Sequence, residues 1–267
     1  MTMTGWQWAA HHFGVGATGL EPVALLLATV AIALGYVVFG LTGFGAALVA
    51  MPLVTQVMTL QTAVPIMLLC DLICGLALGA NNRTAVVLPE LRRLLPWMGG
   101  GLLLGLALLL YAPQRPLLLL LGAGVLAYAI WRLAAPDVFR PLTTGWAVPL
   151  GLAGGGFTAM FGTGGPLYTI YLAGRLRDRN ELRATVGTMI MLTGLARLLM
   201  FAVAGLFTDA TVVALAVWLI PSALAGLRIG AWARSHIAPA RVMRLLWLLL
   251  LASGAGLILR ALFGTVA

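Results

Sequence analysis

The sequence predicts an all-α polytopic membrane protein made of two inverted-topology repeats. Three features indicate this fold: the composition, the long apolar runs and the recurrence of one glycine and proline pattern in both halves. Of the 267 residues, 62% are hydrophobic and only 9% are charged, and the mean hydropathy is +1.06. Because a soluble domain carries roughly a quarter charged residues, most of the exterior of this chain must face lipid.

The apolar runs indicate helices rather than strands. Lipid admits only α-helices and closed β-barrels as spanning structures, and the strands of a barrel alternate in polarity. Residues 102–110 and 245–251 are instead continuously apolar. The chain is therefore predicted to cross the membrane as helices.

Ten apolar segments follow one another along the chain. A full crossing takes about 20 residues, so segments 45–57 and 163–174 are short, and each follows a glycine-rich break. We therefore predict about eight full transmembrane helices plus two short or broken helices. The longer segments are 22–40, 61–80, 94–112, 116–133, 145–160, 184–206, 210–230 and 242–264.

The basic residues, all of them arginine, predict the orientation. With the N-terminus outside, thirteen of the sixteen fall on the cytoplasmic side, as the positive-inside rule requires; the exceptions are Arg115 and Arg260 outside and Arg197 inside a segment. The net charge of +9 does not indicate a nucleic-acid partner, because the arginines lie between apolar segments rather than on one polar face. We expect a multi-pass protein of the bacterial inner membrane, in contact with lipid.

The two halves have proline and arginine residues at corresponding positions. Pro96 in the first half corresponds to Pro221 in the second, and Arg132 corresponds to Arg260. Each half holds five segments, an odd number, so the second half should enter the membrane from the opposite side. The predicted organisation is a leader at 1–20, a first repeat at 22–133, a cytoplasmic linker at 134–144 and a second repeat at 145–264.

Both breaks contain a glycine motif, and the presence of two such motifs is a more specific signal than either motif alone. The first half reads GLTGFGAA at 40–47 and MPL at 51–53, and the second reads GGGF at 154–157 and FGTGGP at 161–166. With these motifs the chain resembles the sulfite exporter TauE/SafE family from residue 22 to residue 264. Two positions differ from the usual family pattern: Ala46 replaces a glycine and Tyr171 replaces a proline.

The resemblance implies a secondary transporter for sulfite or an organosulfonate. From the residues themselves, a helix broken in the membrane leaves backbone N–H donors at a positive helix end, and two such ends could converge on a small anion. The alternative is that the glycines only permit close helix packing. The candidate binding residues are Thr42, Gly43, Phe44, Gly45, Gly162, Thr163, Gly164, Gly165 and Thr188.

Arg197 is a further candidate for binding the anion. It lies near the middle of segment 184–206, where an arginine costs about 2.5–3.5 kcal/mol to insert. It must therefore face the protein interior or a wet cavity, where its planar guanidinium suits an oxyanion. The alternatives are a structural ion pair and an arginine that reaches the outer interface.

Asp71 is a candidate coupling residue. It lies at the middle of segment 61–80 and is, in this interpretation, the only acid at membrane depth. It could pair with Arg197 and keep the empty site neutral. It could instead take up a proton and couple transport to the proton gradient.

Other function classes find little support in the sequence. Cys70 and Cys74 lie one helical turn apart, but two sulfurs without a nearby histidine do not complete a metal site, so a thiol-redox protein is only an alternative. An intramembrane enzyme would need a nucleophile and base, or paired aspartates, which the segments lack. We expect no cofactor, metal or catalytic residue; an anion channel and homo-oligomerisation stay open.

Overall fold

The structure, a computed structural model, describes residues 21–43, 45–78, 85–134, 141–236 and 239–263, and within these ranges it is helical without strands. The predicted leader, Phe44 and residues 135–140 of the linker lie outside the described residues. The helices are α1 (Pro22–Thr42), α2 (Ala46–Val54), α3 (Leu60–Leu78), α4 (Leu88–Tyr111), α5 (Gln114–Ala134), α6 (Ala147–Phe161), α7 (Gly165–Ala173), α8 (Arg179–Val203), α9 (Ala210–His236) and α10 (Pro239–Phe263).

The predicted all-helical membrane architecture is confirmed. Six helices, namely α1, α3, α4, α5, α8 and α9, are long and apolar enough to cross a membrane. The last helix, α10, has 25 residues, whereas α6 has 15 and α2 and α7 have nine each. Since each helical residue rises 1.5 Å, α2 and α7 reach only about 13 Å, less than half of the hydrocarbon core. They are the two short helices that the glycine breaks predict.

Three helices extend five or six residues beyond one of their predicted bounds. Helix α4 begins at Leu88 rather than at residue 94, and α8 begins at Arg179 rather than at 184. Polar residues in these first turns hide the helix from a hydropathy pattern, although Asp178 caps α8 by accepting a hydrogen bond from the Asn180 backbone N–H at 2.6 Å. Helix α9 likewise continues to His236 rather than ending at 230.

The closest helix packing joins the two halves of the chain. Helix α4 packs most extensively on α6, and α1 packs most extensively on α9. At the first crossing, a Cβ at Gly101 would collide with the backbone of Leu152; at the second, a Cβ at Gly230 would collide with the backbone of Val37. Both crossings therefore depend on small residues that let backbones touch.

The two short helices end at opposite ends of α4. Arg175, just after α7, binds Glu90 in the first turn of α4. At the other end, Arg260 donates to the Thr55 carbonyl just after α2, at 2.8 Å. The residue after Arg260 accepts a hydrogen bond from Arg115, four residues beyond the end of α4. The first and last turns of this 24-residue helix are about 30 Å apart.

Candidate anion-binding site

The two breaks have the same backbone geometry. Helix α1 ends at Gly43 with φ 85°, and α6 ends at Gly162 with φ 74°, both in the left-handed region that side chains disfavour. The Gly43 N–H donates to the Phe39 carbonyl at 2.7 Å, and the Gly162 N–H donates to the Thr158 carbonyl at 2.9 Å. Each long helix thus stops at a glycine cap, and a nine-residue helix begins a few residues later.

The second break lies against the start of α2 and beside Arg197. A Cβ added at Gly162 would lie 3.2 Å from the Cβ of Ala47, in the first turn of α2. The same Cβ would lie 3.8 Å from both terminal nitrogens of Arg197, which is carried by α8. The end of α6, the start of α2 and Arg197 are therefore brought together.

Arg197 is buried, and one hydrogen-bonding edge of its guanidinium is unused. The residue is 3% exposed, and its Nε and Nη2 atoms have no hydrogen-bond partner among the described residues. These two nitrogens lie on the same edge of the guanidinium, which is the edge that binds two oxygens of an oxyanion side by side. The Phe201 ring covers the cation, with its centroid 5.3 Å from Cζ. Burying such a cation without partners is unfavourable, so the edge is suited to a ligand.

Thr163 contributes an unpaired hydroxyl to the second break. Its side chain is buried, and Oγ1 has no partner in the described part of the chain. The other two predicted threonines differ, because Thr42 and Thr188 each donate to a carbonyl one turn earlier, at 2.9 Å. Thr163 is thus the predicted hydroxyl whose bonding capacity is unused.

The remaining motif glycines differ in their surroundings. A Cβ at Gly164 would collide with the Thr158 side chain and the Gly154 carbonyl, so Gly164 permits a close approach of α7 to α6. A Cβ at Gly165 would meet no atom within 4 Å. In the first break, Gly45 has φ 91° and likewise has room around it, with the nearest atom, in Leu48, at 3.7 Å.

Asp71 is held by a tyrosine that the sequence analysis did not single out. The Tyr36 hydroxyl on α1 donates to Asp71 Oδ1 on α3 at 2.6 Å. Asp71 is half-buried and close enough to Arg197 for the two charges to interact, but within the described ranges the two form no direct ion pair. Asp71 therefore reaches the arginine through space rather than by contact.

Tyr168 is a second tyrosine that fixes the geometry of the site. Its hydroxyl lies 2.9 Å from Thr158 Oγ1, and its ring fills the space that a side chain at Gly154 would need. Because Tyr168 is on α7 and the other two residues are on α6, the contact fixes the short helix against the long one. Tyr168 is also close enough to Arg197 to interact with it electrostatically.

Glu90 is a further buried acid, and it is not among the predicted site residues. It is 5% exposed, in the first turn of α4, and accepts hydrogen bonds from Arg175 at 2.8 Å and from the Tyr171 hydroxyl at 2.7 Å. Arg93, one turn further along, pairs with the same carboxylate at 2.8 Å. The hydrogen bond to Glu90 raises the pKa of Arg175 and keeps this residue charged. The sequence pattern placed Glu90 in a loop because polar neighbours surround it.

The cysteines form no polar site in the part of the chain that the structure describes. Cys70 and Cys74 are both buried free thiols. The described ranges contain no group of three or more His, Cys, Asp or Glu side chains that could hold a metal ion. The two sulfurs pack as small apolar groups in the helix core.

Interrupted apolar helices are typical of the substrate sites of secondary transporters. A family model described as "Sulfite exporter TauE/SafE" matches residues 27–257, and the chain belongs to this family. It is also similar to the "Probable inner membrane transporter protein TsaS" of Comamonas testosteroni, with 29% identity over 195 residues, 72% of this chain and 81% of the relative. No solved structure matches the chain. The protein is thus a multi-pass membrane transporter rather than an enzyme.

Proposed function

We propose that this protein carries a small oxyanion, sulfite or an organosulfonate, across the bacterial inner membrane by alternating access. The observation that carries the proposal is the free Nε and Nη2 edge of Arg197, buried beside the second helix break. A pair of parallel N–H donors matches two oxygens on one sulfur or carbon atom better than it matches a halide. Membership of the sulfite exporter family and the similarity to an inner membrane transporter support this proposal.

A third donor favours sulfur oxyanions over carboxylates. Sulfite and sulfonates carry three oxygens, whereas a carboxylate carries two. Two oxygens would occupy the Arg197 edge, and the third could accept from the Thr163 hydroxyl, which is buried and unused. The break also contributes a helix N-terminus at Gly165, which favours negative charge. Gly43, Gly45 and Gly164 then act by shaping the backbone around the anion.

Two inverted repeats, residues 22–133 and 145–264, would supply the symmetry for alternating access. Each repeat would contribute four crossing helices and one short helix, with the linker 134–144 between them. Three observations support this arrangement: the matching glycine caps at Gly43 and Gly162, the paired crossings of α4 on α6 and of α1 on α9, and the departure of α2 and α7 toward opposite ends of α4. Rocking one repeat against the other would expose a shared central site to each side in turn.

Asp71 would couple this cycle to protons. When the site is empty, its charge offsets that of Arg197; when an anion occupies the arginine, Asp71 can take up a proton and restore neutrality. The Tyr36 hydroxyl holds the carboxylate in place for this exchange. Asp71→Asn should leave anion binding measurable but abolish accumulation driven by an imposed proton gradient in proteoliposomes. Gradient-driven accumulation by this variant at the parental level would exclude the role.

Thermal unfolding of the purified protein tests the anion assignment. A ligand that binds only the folded state at 100 times its Kd stabilises it by about 2.7 kcal/mol. Sulfite and methanesulfonate should raise Tm most, acetate less and chloride least. Arg197→Gln should abolish these shifts yet still fold, because Nε and Nη2 have no described partner to leave unpaired and Asp71 keeps its hydrogen bond from Tyr36.

Arg92→Gln is the matched control for that experiment. It removes the same charge from an exposed side chain in the first turns of α4, far along the chain from the site. Its anion-induced Tm shifts should equal those of the parent. Equal shifts in Arg197→Gln and the parent, or no stabilisation by any of the four anions, would refute the proposed site. Saturable flux stimulated by anion on the opposite side would distinguish a carrier from a channel.

A further inference from the structure

The polar cluster around Glu90 links three separate parts of the chain. Glu90 belongs to α4, Tyr171 to α7, and Arg175 to the segment between α7 and α8. Arg175 also donates to the Leu142 carbonyl at 3.3 Å, and the Leu142 N–H donates to the Gly174 carbonyl at 3.0 Å. The end of α7 is thus fastened both to α4 and to the chain that precedes α6.

This cluster lies at the far end of the helix that begins at the proposed site. Helix α7 starts at Gly165, beside Thr163, and ends at Ala173. Nine helical residues form a rod of about 13 Å, so a displacement at one end is carried to the other. Among the described residues Glu90 forms no hydrogen bond with Arg197, and its bond from Tyr171 links it to the site through α7.

The opposite end of the molecule is fastened by weaker contacts. There Arg260 donates to the Thr55 carbonyl and to Gln56 Oε1, at 2.8 and 3.1 Å, and both acceptors are neutral. At the Glu90 end, a buried carboxylate receives two arginines and a tyrosine hydroxyl. The donors are ionised at both ends, but only at the Glu90 end is the acceptor ionised as well. The attraction between opposite charges therefore adds to the hydrogen bonds at the Glu90 end alone, and in this state that end is held more firmly.

We propose that Glu90, Arg175 and Tyr171 form a gate that closes the cytoplasmic end of the transport path by holding α7 in place. Glu90 is the positioning residue, and the gate opens when its carboxylate separates from Arg175. The arginine-rich end that carries the gate faces the cytoplasm by the positive-inside rule. This inference rests on the proposed alternating access, but it needs no particular anion.

Thiol accessibility measures the gate directly. A reporter cysteine is placed at Gly165, where a side chain meets no atom within 4 Å, in a full-length Cys70→Ala, Cys74→Ala background. A membrane-impermeant maleimide is then added to inside-out or right-side-out vesicles. Glu90→Gln should raise the cytoplasmic labelling rate about tenfold, and Tyr171→Phe, which loses one hydrogen bond, about threefold. Labelling from the other side should change by less than about twofold in both variants.

Arg92→Gln again serves as the control, because it removes an exposed charge from the same helical turn without touching the cluster. It should label like the parent. An equal rise from both sides would show a loosened fold and overturn the gate, as would unchanged labelling in both Glu90→Gln and Tyr171→Phe. The labelling assay contains no transported anion. If none of the four anions raised Tm, the proposed substrate would be rejected, but the gate would still be tested by the labelling rates alone.

Discussion

The two helix breaks share a backbone but differ in their chemistry. At the first break, Gly43 and Gly45 adopt left-handed conformations, and Gly43 has no atom within 4 Å of where its Cβ would be. At the second break, Gly162 is similarly left-handed, but Arg197 and the unpaired Thr163 hydroxyl lie beside it. The two breaks therefore share the interruption of the helix, while the polar side chains without a described partner lie beside the second break.

This difference indicates that the two breaks have different roles. The first break contributes the start of α2, whose Ala47 packs against Gly162. The second break places the hydrogen-bond donors of Thr163 and Arg197 at the candidate site. An anion bound between them would contact one half of the chain mainly through its backbone and the other half mainly through side chains. Variants at equivalent positions of the two breaks should then have unequal effects.

The largest difference is expected within the second break itself. Gly164→Ala places a Cβ into the Thr158 side chain and the Gly154 carbonyl, so α7 cannot pack on α6. Because the conflict includes backbone, the free energy of unfolding should fall by about 3 kcal/mol or more. Size-exclusion chromatography and thermal unfolding in detergent should show little folded protein. Gly165→Ala, one residue later and in open space, should fold normally; similar profiles for the two variants would contradict this packing.

A smaller difference is expected between the two helix caps. Gly43→Ala and Gly162→Ala each force alanine into the left-handed region, which should lower the free energy of unfolding by about 1–2 kcal/mol. Only at Gly162 does the new methyl group approach Ala47 and Arg197. Sulfite-induced Tm shifts should therefore shrink in Gly162→Ala and persist in Gly43→Ala. Equal loss of the shift in both variants would contradict the proposed difference between the two breaks.

The two threonines should differ in the sign of their effect on stability. Thr163→Val removes a buried hydroxyl without a described partner, so the empty protein should gain about 1 kcal/mol in the free energy of unfolding. Sulfite affinity should nevertheless fall about fivefold, the loss of one hydrogen bond. Thr42→Val, whose hydroxyl is bonded to Val38, is the comparison and should not gain stability. Titrating sulfite against Tm measures both effects at once, and unchanged affinity in Thr163→Val would remove Thr163 from the site.

The smallest effect is expected outside both breaks, at the thiols. A Cys70→Ser, Cys74→Ser variant should retain its anion transport rate, because both sulfurs are packed as apolar groups rather than arranged for reaction. Uptake into proteoliposomes checks this. A complete loss of transport by folded protein would favour a thiol-redox function over a carrier.

Much of the fold follows from the sequence because lipid restricts the alternatives. All ten α-helices of the described residues correspond to apolar segments, and the short apolar segments 45–57 and 163–174 predict the short helices α2 and α7. The start of α4 was wrong by six residues, since hydropathy treats Glu90, Arg92 and Arg93 as loop. A carboxylate buried by partners 81 and 85 residues away leaves no local signal.

The candidate site was predictable only in part, because contacts between residues distant in sequence leave no local signal. Glycine spacing marks the breaks, and an arginine within an apolar run marks Arg197. The hydrogen bond from Tyr36 to Asp71 joins residues 35 apart on different helices, and tyrosine is common in apolar segments. Whether a threonine hydroxyl bonds within its own helix, as in Thr188, or stays unpaired, as in Thr163, depends on local backbone geometry that the sequence does not display.

The exchange of partners between halves also bears on biosynthesis. Helix α1 packs most extensively on α9, which begins at Ala210, so its principal neighbour is translated only after most of the chain has been inserted. Until then the small-residue face of α1 must lie against lipid or transient partners. This face is apolar enough to remain in the bilayer, but it lacks the close helix packing that stabilises the folded protein. The ribosome therefore delivers a bilayer-embedded chain whose two halves become a stable body late, when the final helices arrive.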